Sequence, residues 1–171
     1  VDAGICSFKI EGRLKDQSYV KNITAFYRNH IDKILDSKPG FQKSSSGKTE
    51  FNFEPAPEKS FNRSFTTYYI NNSKRNYVAS INTEKSIGEE IGKVEKVFSD
   101  YIIIDSEKTL NNGDGICFFE NDLLMGTNVN KVIGDKIYPN NMSGIKNGAT
   151  IYRNNDIEFD KFLERNKIKR R

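Results

Sequence analysis

Three charged side chains stand close together near the start of the chain: Lys9, Glu11 and Arg13 in "CSFKIEGRLK". The residues before them are largely apolar and Gly12 favours a turn, so the pattern predicts a strand that delivers the charges to its carboxyl end. In parallel α/β folds, ligand sites are built at this edge. The alternative is a surface ion pair between Glu11 and its neighbours. The residues alone favour neither interpretation.

A helix is predicted directly after this segment, over residues 18–36. Asp16 or Ser18 can cap its start, and Pro39-Gly40 lies just beyond its end and prevents its continuation. Its apolar residues recur at three- and four-residue spacing and form one face: Val20, Ile23, Tyr27, Ile31 and Ile34. One strand and one helix cannot bury both faces of the strand, so residues 1–36 predict the terminal strand-helix unit of a truncated α/β barrel.

Residues 37–60 are rich in Ser, Lys, Gly, Pro and Glu and predict a mobile linker, with a short strand at Phe51 to Phe53. The next stretch is unusually aromatic, and four of its residues are candidates for RNA binding, because aromatic faces beside basic groups suit single-stranded nucleic acid. They are Arg63, Tyr68, Lys74 and Arg75. The alternative, which we prefer for the aromatic residues, is that they cover a hydrophobic surface between domains.

The pattern becomes β from Glu89 onward. Alternating or β-branched apolar runs predict strands at "EIGKVEKVF", "YIIID", "ICFF", "TNVNKVI", "KIYP" and "NGATIYRN", separated by turns at Ser99-Asp100, "NNGDG" and Gly134-Asp135. Short strands at this spacing suggest a small antiparallel β-barrel over residues 61–153. The expected fold class is therefore mainly β with flanking helices (α+β).

Residues 154–171 predict a C-terminal helix and a basic tail. Asn155 followed by Glu158 resembles a capping box. The final "KIKRR" could touch RNA, although a solvated tail is the more ordinary interpretation.

The composition limits the function classes. The net charge of +4 permits a polyanionic partner without requiring one. Cys6 and Cys117 are expected to be buried reduced thiols, and His30 alone is too little for a zinc site or a histidine-based triad. No membrane span or signal peptide is evident, which favours a cytoplasmic protein, and Val1 in place of Met suggests a fragment.

The stretch "SFKIEGRLKDQSYVKNITAFYRNHID" resembles the signature of the collagenase-like peptidase family, the U-thirty-two peptidases. The later blocks "FNRSFTTYYI", "IGEEIGKVEKV", "NNGDGICFF" and "IYRNNDIEF" resemble, in the same order, the branch of that family that makes 5-hydroxycytidine in large-subunit ribosomal RNA.

The resemblance implies a parent protein with an N-terminal α/β barrel, at whose mouth Lys9, Glu11 and Arg13 would face the substrate as catalytic candidates. The β domain would resemble the second domain of elongation factor Tu. An iron–sulfur cluster or a metal would be held by cysteines upstream, so no cofactor and no metal site is carried over to this chain.

The expected role is that of an inactive fragment whose barrel holds a substrate for an RNA-modifying, cytidine-hydroxylating enzyme. The alternatives are part of a collagenase-type protease and a purely structural barrel. The implied partners are ribosomal RNA or a protein substrate. Because no parallel sheet is expected to cover the apolar face of the helix at 18–36, we expect this face to pack on the barrel of its own chain or on a second copy.

Overall fold

The computed structural model describes residues 3–5, 7–44, 46, 49–66 and 83–165. The chain divides into two compact units, Val1–Pro57 and Glu58–Arg171.

The first unit is built on helix α1, Gln17–Ser37. The side chain of Asp16 accepts a hydrogen bond from the Tyr19 backbone N–H at 2.6 Å, so Asp16 caps the helix. Ser18, the other predicted cap, lies inside the first turn and is buried. The predicted helix is confirmed.

The buried side of α1 consists of small side chains, two of them polar, and differs from the predicted apolar face. Ser18, Asn22 and Ala25 are its buried residues, whereas Val20 and Tyr27 are exposed. The Asn22 amide donates to the Ala56 carbonyl at 2.6 Å and accepts from the Ala56 N–H at 2.8 Å. This pair attaches the segment before Pro57 to the helix.

The described residues before α1 form no strand. The strand predicted to end at Lys9, Glu11 and Arg13 is therefore wrong as a local structure, because the described part of the chain supplies no partner for its backbone hydrogen bonds. The strand predicted at Phe51 to Phe53 is wrong for the same reason. The two phenylalanine rings contact each other edge to face instead, at 5.9 Å.

The second unit contains six antiparallel strands that close into a barrel in the order β1-β2-β5-β4-β3-β6. The strands are β1 (Glu89–Val97), β2 (Ile102–Asp105), β3 (Gly115–Glu120), β4 (Leu123–Ile133), β5 (Lys136–Pro139) and β6 (Thr150–Asn155). A short 3₁₀ helix, Pro57–Lys59, precedes them. The predicted barrel is confirmed, and its closure pairs each of these six strands on both sides.

The barrel interior is filled by apolar side chains from every strand, because alternate residues of a strand point to opposite faces. Its core residues are Ile91, Val94, Ile102, Leu110, Ile116, Phe118, Val129, Ile137, Ile145 and Ile151. Gly88 precedes β1 with φ +81°, and a Cβ there would overlap the Arg153 carbonyl. A side chain at position 88 is therefore excluded by both conformation and space.

Two hairpin turns set the length of β4. Asn121 and Asp122 both have positive φ, 48° and 64°, which is the conformation of a two-residue type I′ turn. The strand predicted from Thr127 therefore begins earlier, at Leu123. The predicted turn at Gly134-Asp135 is confirmed, since β4 ends at Ile133 and β5 begins at Lys136.

Helix α2, Ile157–Arg165, follows β6 directly. Asp156 caps it by accepting a hydrogen bond from the Phe159 N–H at 3.0 Å. The predicted start at Asn155 is wrong by one residue, because β6 continues through Asn155. No helix in the described part of the chain combines the length and apolar character needed to cross a membrane.

Candidate nucleic-acid interface

Lys9, Glu11 and Arg13 are all exposed in the first unit. The Lys9 Nζ lies 2.7 Å from the Glu11 Oε1, and these side chains are 83% and 74% exposed. Lys9 and Glu11 thus form a surface ion pair, which was one of the two interpretations that the sequence allowed. Their role at the mouth of a larger barrel stays a prediction.

Of the predicted RNA-binding residues, only Arg63 is described; Tyr68, Lys74 and Arg75 lie outside the described residues. The Arg63 guanidinium lies 5.7 Å from the centre of the Phe61 ring, a cation–π contact. Arg63 is exposed. Its role in RNA binding stays a prediction.

A second set of aromatic rings lies on the outside of the barrel. The Phe98 and Tyr101 rings stack with centres 4.3 Å apart and planes 16° apart. The Tyr101 ring also contacts that of Tyr138, at 5.4 Å. We call Phe98, Tyr101 and Tyr138 the aromatic row.

The register of four strands explains how these residues meet. Val97 pairs with Ile102, and Ile102 pairs with Ile137; these side chains belong to the core or pack against it. The next position along each strand must point outward, which places the aromatic row on the outer surface. Lys131, opposite Tyr138 on β4, continues the row.

Lysines surround the aromatic row. The Lys136 Nζ lies 5.0 Å from the centre of the Tyr101 ring. Lys136 is paired with Ile103, and Ile103 is paired with Lys96. Lys96 contacts Glu95 at 3.4 Å, whereas Lys131 and Lys136 form no ion pair with any residue that the structure describes. Asp100 and Asp135 stand in the adjacent turns, so the surface is mixed in charge.

A buried charge cluster lies where β1, β6 and α2 meet: Glu89, Asp114, Arg153 and Asp156. The Arg153 Nη2 lies 2.6 Å from Glu89 and 3.1 Å from Asp156. Its Nη1 donates to Asp114 at 3.2 Å and to the Thr109 carbonyl at 3.1 Å. Arg153 thus joins three carboxylates in one network.

Two lysines complete the buried charge cluster at its margin. Lys59 contacts Asp156 at 2.8 Å, and Lys108 contacts Glu89 at 3.2 Å. Three cations then face three carboxylates, so the charges balance. A cavity of about 560 Å³ opens beside them, and the Phe159 and Phe162 side chains also line it. Every charged group of the cluster has a partner within the fold, which is the arrangement expected of a structural network.

The cluster changes the protonation equilibria of its acids. Burial alone raises the pKa of Glu89, but hydrogen bonds and charge from Arg153 and Lys108 outweigh burial and lower it. Burial likewise raises the pKa of Asp156, and Lys59, the Phe159 N–H and Arg153 lower it below its usual range. Both carboxyls are therefore ionised at neutral pH.

Prediction from the sequence missed this cluster, although a signal for it was present. Arg153 lies two residues after the core residue Ile151, and Glu89 lies two residues before Ile91, so both charges occupy inward-facing strand positions. A charge at such a position requires a buried partner.

No metal site is formed among the described residues: no three His, Cys, Asp or Glu side chains are grouped to hold an ion. Cys117 is a buried free thiol, as predicted. Burial raises the pKa of Cys117 to about 12, and its Sγ contacts the Ile87 carbonyl at 3.3 Å. A cluster ligand must be a thiolate, so this residue does not fit an iron–sulfur centre. Cys6 lies outside the described residues.

Comparison with known proteins confirms the resemblance to the U-thirty-two peptidases. Residues 1–80 match the model of peptidase family U32. The chain is 36% identical, over its whole length, to the 23S rRNA 5-hydroxycytidine C2501 synthase of Escherichia coli, of which it covers 27%.

A second relative comes from an archaeon. The chain is 34% identical over 106 residues, 59% of its length, to an uncharacterized protease of Methanocaldococcus jannaschii, of which it covers 24%. The chain thus spans about a quarter of each relative. No solved structure matches significantly, and the implied likeness to the second domain of elongation factor Tu is not confirmed.

Proposed function

We propose that this chain, whose residues 1–80 belong to peptidase family U32, is the RNA-holding part of an enzyme that hydroxylates a cytidine in ribosomal RNA. One observation carries the proposal. The 36% identity to the Escherichia coli synthase extends over the entire chain and therefore includes all six strands of the barrel.

The barrel is the part of the chain suited to holding a substrate. It is a closed barrel with its own apolar core, and it presents aromatic rings beside lysines on its outer surface. Aromatic faces and positive charge are the two elements of sequence-tolerant binding to single-stranded RNA. A holding role requires no catalytic group on the barrel itself.

The chemistry belongs, in this proposal, to the remainder of a longer protein. Hydroxylation of a base requires a redox cofactor and a pocket for the extruded base. The described residues offer no ligand set for such a cofactor. We place an iron–sulfur cluster or a metal in the upstream barrel, with Lys9, Glu11 and Arg13 near the substrate. The chain is then inactive alone and works in the cytoplasm.

Two other functions remain as alternatives, each with its own observation. The similarity to the archaeal protease favours a part of a collagenase-type peptidase that acts on a protein substrate. The balanced buried charge cluster favours a barrel that only stabilises the parent enzyme.

Binding of this chain to a ribosomal RNA fragment at about 50 and about 200 mM salt tests the proposal. We expect an affinity that falls as salt rises, because phosphate contacts release counterions. Absent or salt-independent binding would refute an RNA-holding role. Cleavage of gelatin by this chain would instead support the peptidase alternative.

The proposal also includes a second copy of the chain as a partner. Val20, Tyr27 and Ile34 leave apolar surface exposed on α1, and such a face commonly finds a partner. Light scattering of the chain measures this directly: a dimer that is lost in Tyr27→Lys supports a contact through α1, and a monomer at all concentrations contradicts it.

A further inference from the structure

We infer that the aromatic row, together with Lys131 and Lys136, is the surface on which unpaired RNA bases stack. The inference rests on the proposed function and identifies the subsite and the form of RNA that it takes. It assigns the binding to Phe98, Tyr101 and Tyr138 on the barrel, a different set of residues from the candidates at 63–75.

Among the residues that the structure describes, those that hold the row in place belong to the barrel unit. The Phe98 N–H donates to the Tyr101 carbonyl at 2.9 Å, across the two-residue turn Ser99-Asp100. The two rings are nearly parallel, at 16°, and Phe98 keeps 41% of its surface exposed. A base can therefore continue an existing stack, and little conformational entropy is lost on binding.

The row also has a length and a direction. Phe98 directly follows β1 and Tyr101 directly precedes β2. Tyr138 lies on β5 and Lys131 on β4, so the row follows the strand order β1 to β2 to β5 to β4. With strands about 4.8 Å apart, the row extends about 14 Å across the barrel surface. It can support a short run of nucleotides that crosses the strands, with a base that extends the ring stack and the backbone near Lys131.

The lysines favour RNA over an apolar partner. Lys131 and Lys136 form no ion pair with a described residue, so both can meet phosphates without first breaking a salt bridge. Lys96 is already paired with Glu95, and Asp100 and Asp135 oppose a strong positive field. The surface thus predicts few phosphate contacts and a large contribution from stacking.

The test measures binding of fluorescent, unstructured cytidine-rich RNA to this chain by anisotropy. Phe98→Leu and Tyr138→Leu remove a ring and should each weaken binding on the order of 10-fold, with an unchanged salt slope. Tyr138→Phe keeps the ring face and should bind within about twofold of the original chain. Lys131→Gln with Lys136→Gln should lower the salt slope by about 1.4, since each single-strand phosphate contact contributes about 0.7.

Matched controls separate binding from folding. Phe119→Leu disrupts the edge-to-face pair of Phe119 with Tyr152, between β3 and β6, and should leave RNA binding unchanged. Lys161→Gln removes an exposed charge on α2 and should leave the salt slope unchanged. Thermal unfolding of every variant shows whether the barrel stays folded.

The outcomes distinguish the inference from the function on which it rests. If the unsubstituted chain binds RNA and the Phe98 and Tyr138 variants bind equally well, the aromatic row only stabilises the hairpin of β1 and β2, and the inference is wrong. Losses in Phe119→Leu as large as those in Tyr138→Leu would overturn it in the same way. If the unsubstituted chain binds no RNA, the proposed function fails as well.

Discussion

Arg153 and Glu89 are joined by two hydrogen bonds inside the barrel wall: one carboxylate oxygen of Glu89 accepts from the Arg153 Nη2 at 2.6 Å and from its Nε at 3.2 Å. Both residues are about 95% buried. Such a pair is poor evidence of net stabilisation, but the loss of either partner leaves a buried charge without compensation. The pair therefore holds the first and last strands of the barrel in one register.

Replacement of Arg153 should be severely destabilising. Arg153→Leu leaves Glu89, Asp114 and Asp156 without their common donor, and we expect the free energy of unfolding to fall by about 3–5 kcal/mol. Urea unfolding measures this. Lys108→Gln is the matched control: Lys108 also contacts Glu89 but is about half exposed, so we expect a loss of less than about 1 kcal/mol. Equal effects of the two substitutions would contradict the role assigned to Arg153.

Acid should destabilise the barrel through the same cluster. The pKa values of Glu89 and Asp156 are lowered in the folded chain, whereas unfolded Glu and Asp titrate near about 4.3 and 3.9. A carboxyl group whose pKa is lower in the folded chain than in the unfolded chain stabilises the fold at pH values above its unfolded pKa. This stabilisation is lost as the pH falls through the folded pKa. The melting temperature should therefore change little from about pH 7 to pH 5. It should decrease once the pH is lower than roughly 4.

The measurement is thermal unfolding followed by circular dichroism across that pH range. Glu89→Gln should lower the melting temperature at neutral pH and flatten its decline in acid, because the glutamine does not titrate. An undiminished acid decline in this variant would show that other carboxyls carry the effect.

Asn22 should control the attachment of the segment before Pro57. Asn22→Ala leaves the Ala56 N–H and carbonyl without their side-chain partner, and we expect a local loss of about 1–3 kcal/mol. Hydrogen exchange of the Ala56 amide should become faster. Thr24→Ala, on the exposed side of α1, is the control and should leave that amide protected. Unchanged protection in Asn22→Ala would mean that other contacts hold the segment.

The elements that were predictable from the sequence are those that local pattern determines. The six strands follow from apolar alternation and β-branched runs, and the α1 start follows from the capping chemistry of Asp16. The prediction of the opening strand failed because a strand needs a neighbouring strand for its backbone hydrogen bonds, and no local pattern supplies one. The prediction of the buried face of α1 failed because Asn22 is paired with a residue 34 positions away, and such a pair leaves no periodic signal in the sequence.

The aromatic row shows what strand pairing adds to such patterns. Phe98 and Tyr101 are near in sequence, but Tyr138 reaches them only because β2 pairs with β5. The sequence identifies all three as aromatic residues at strand ends. Their common surface emerges only when the strand order of the closed barrel is known.

Asp156 combines two roles that substitutions can separate. It caps α2 by accepting from the Phe159 N–H, and its carboxylate contacts Arg153 and Lys59. Asp156→Asn keeps an oxygen for the cap and removes the charge, whereas Asp156→Ala removes both. Because an N-cap contributes about 1 kcal/mol, Asp156→Ala should be less stable than Asp156→Asn by about that amount.

Both Asp156 variants should share one further change, a weaker loss of stability in acid, because the same titrating group is absent from each. Urea unfolding at about pH 7 and about pH 4 measures both effects in one series. Equal stability of the two variants would show that the Asp156 side chain does not act as a cap. Asp156→Asn as stable as the original chain would show that the charge contributes nothing, since asparagine keeps the capping oxygen and replaces the other oxygen by an uncharged NH₂ group.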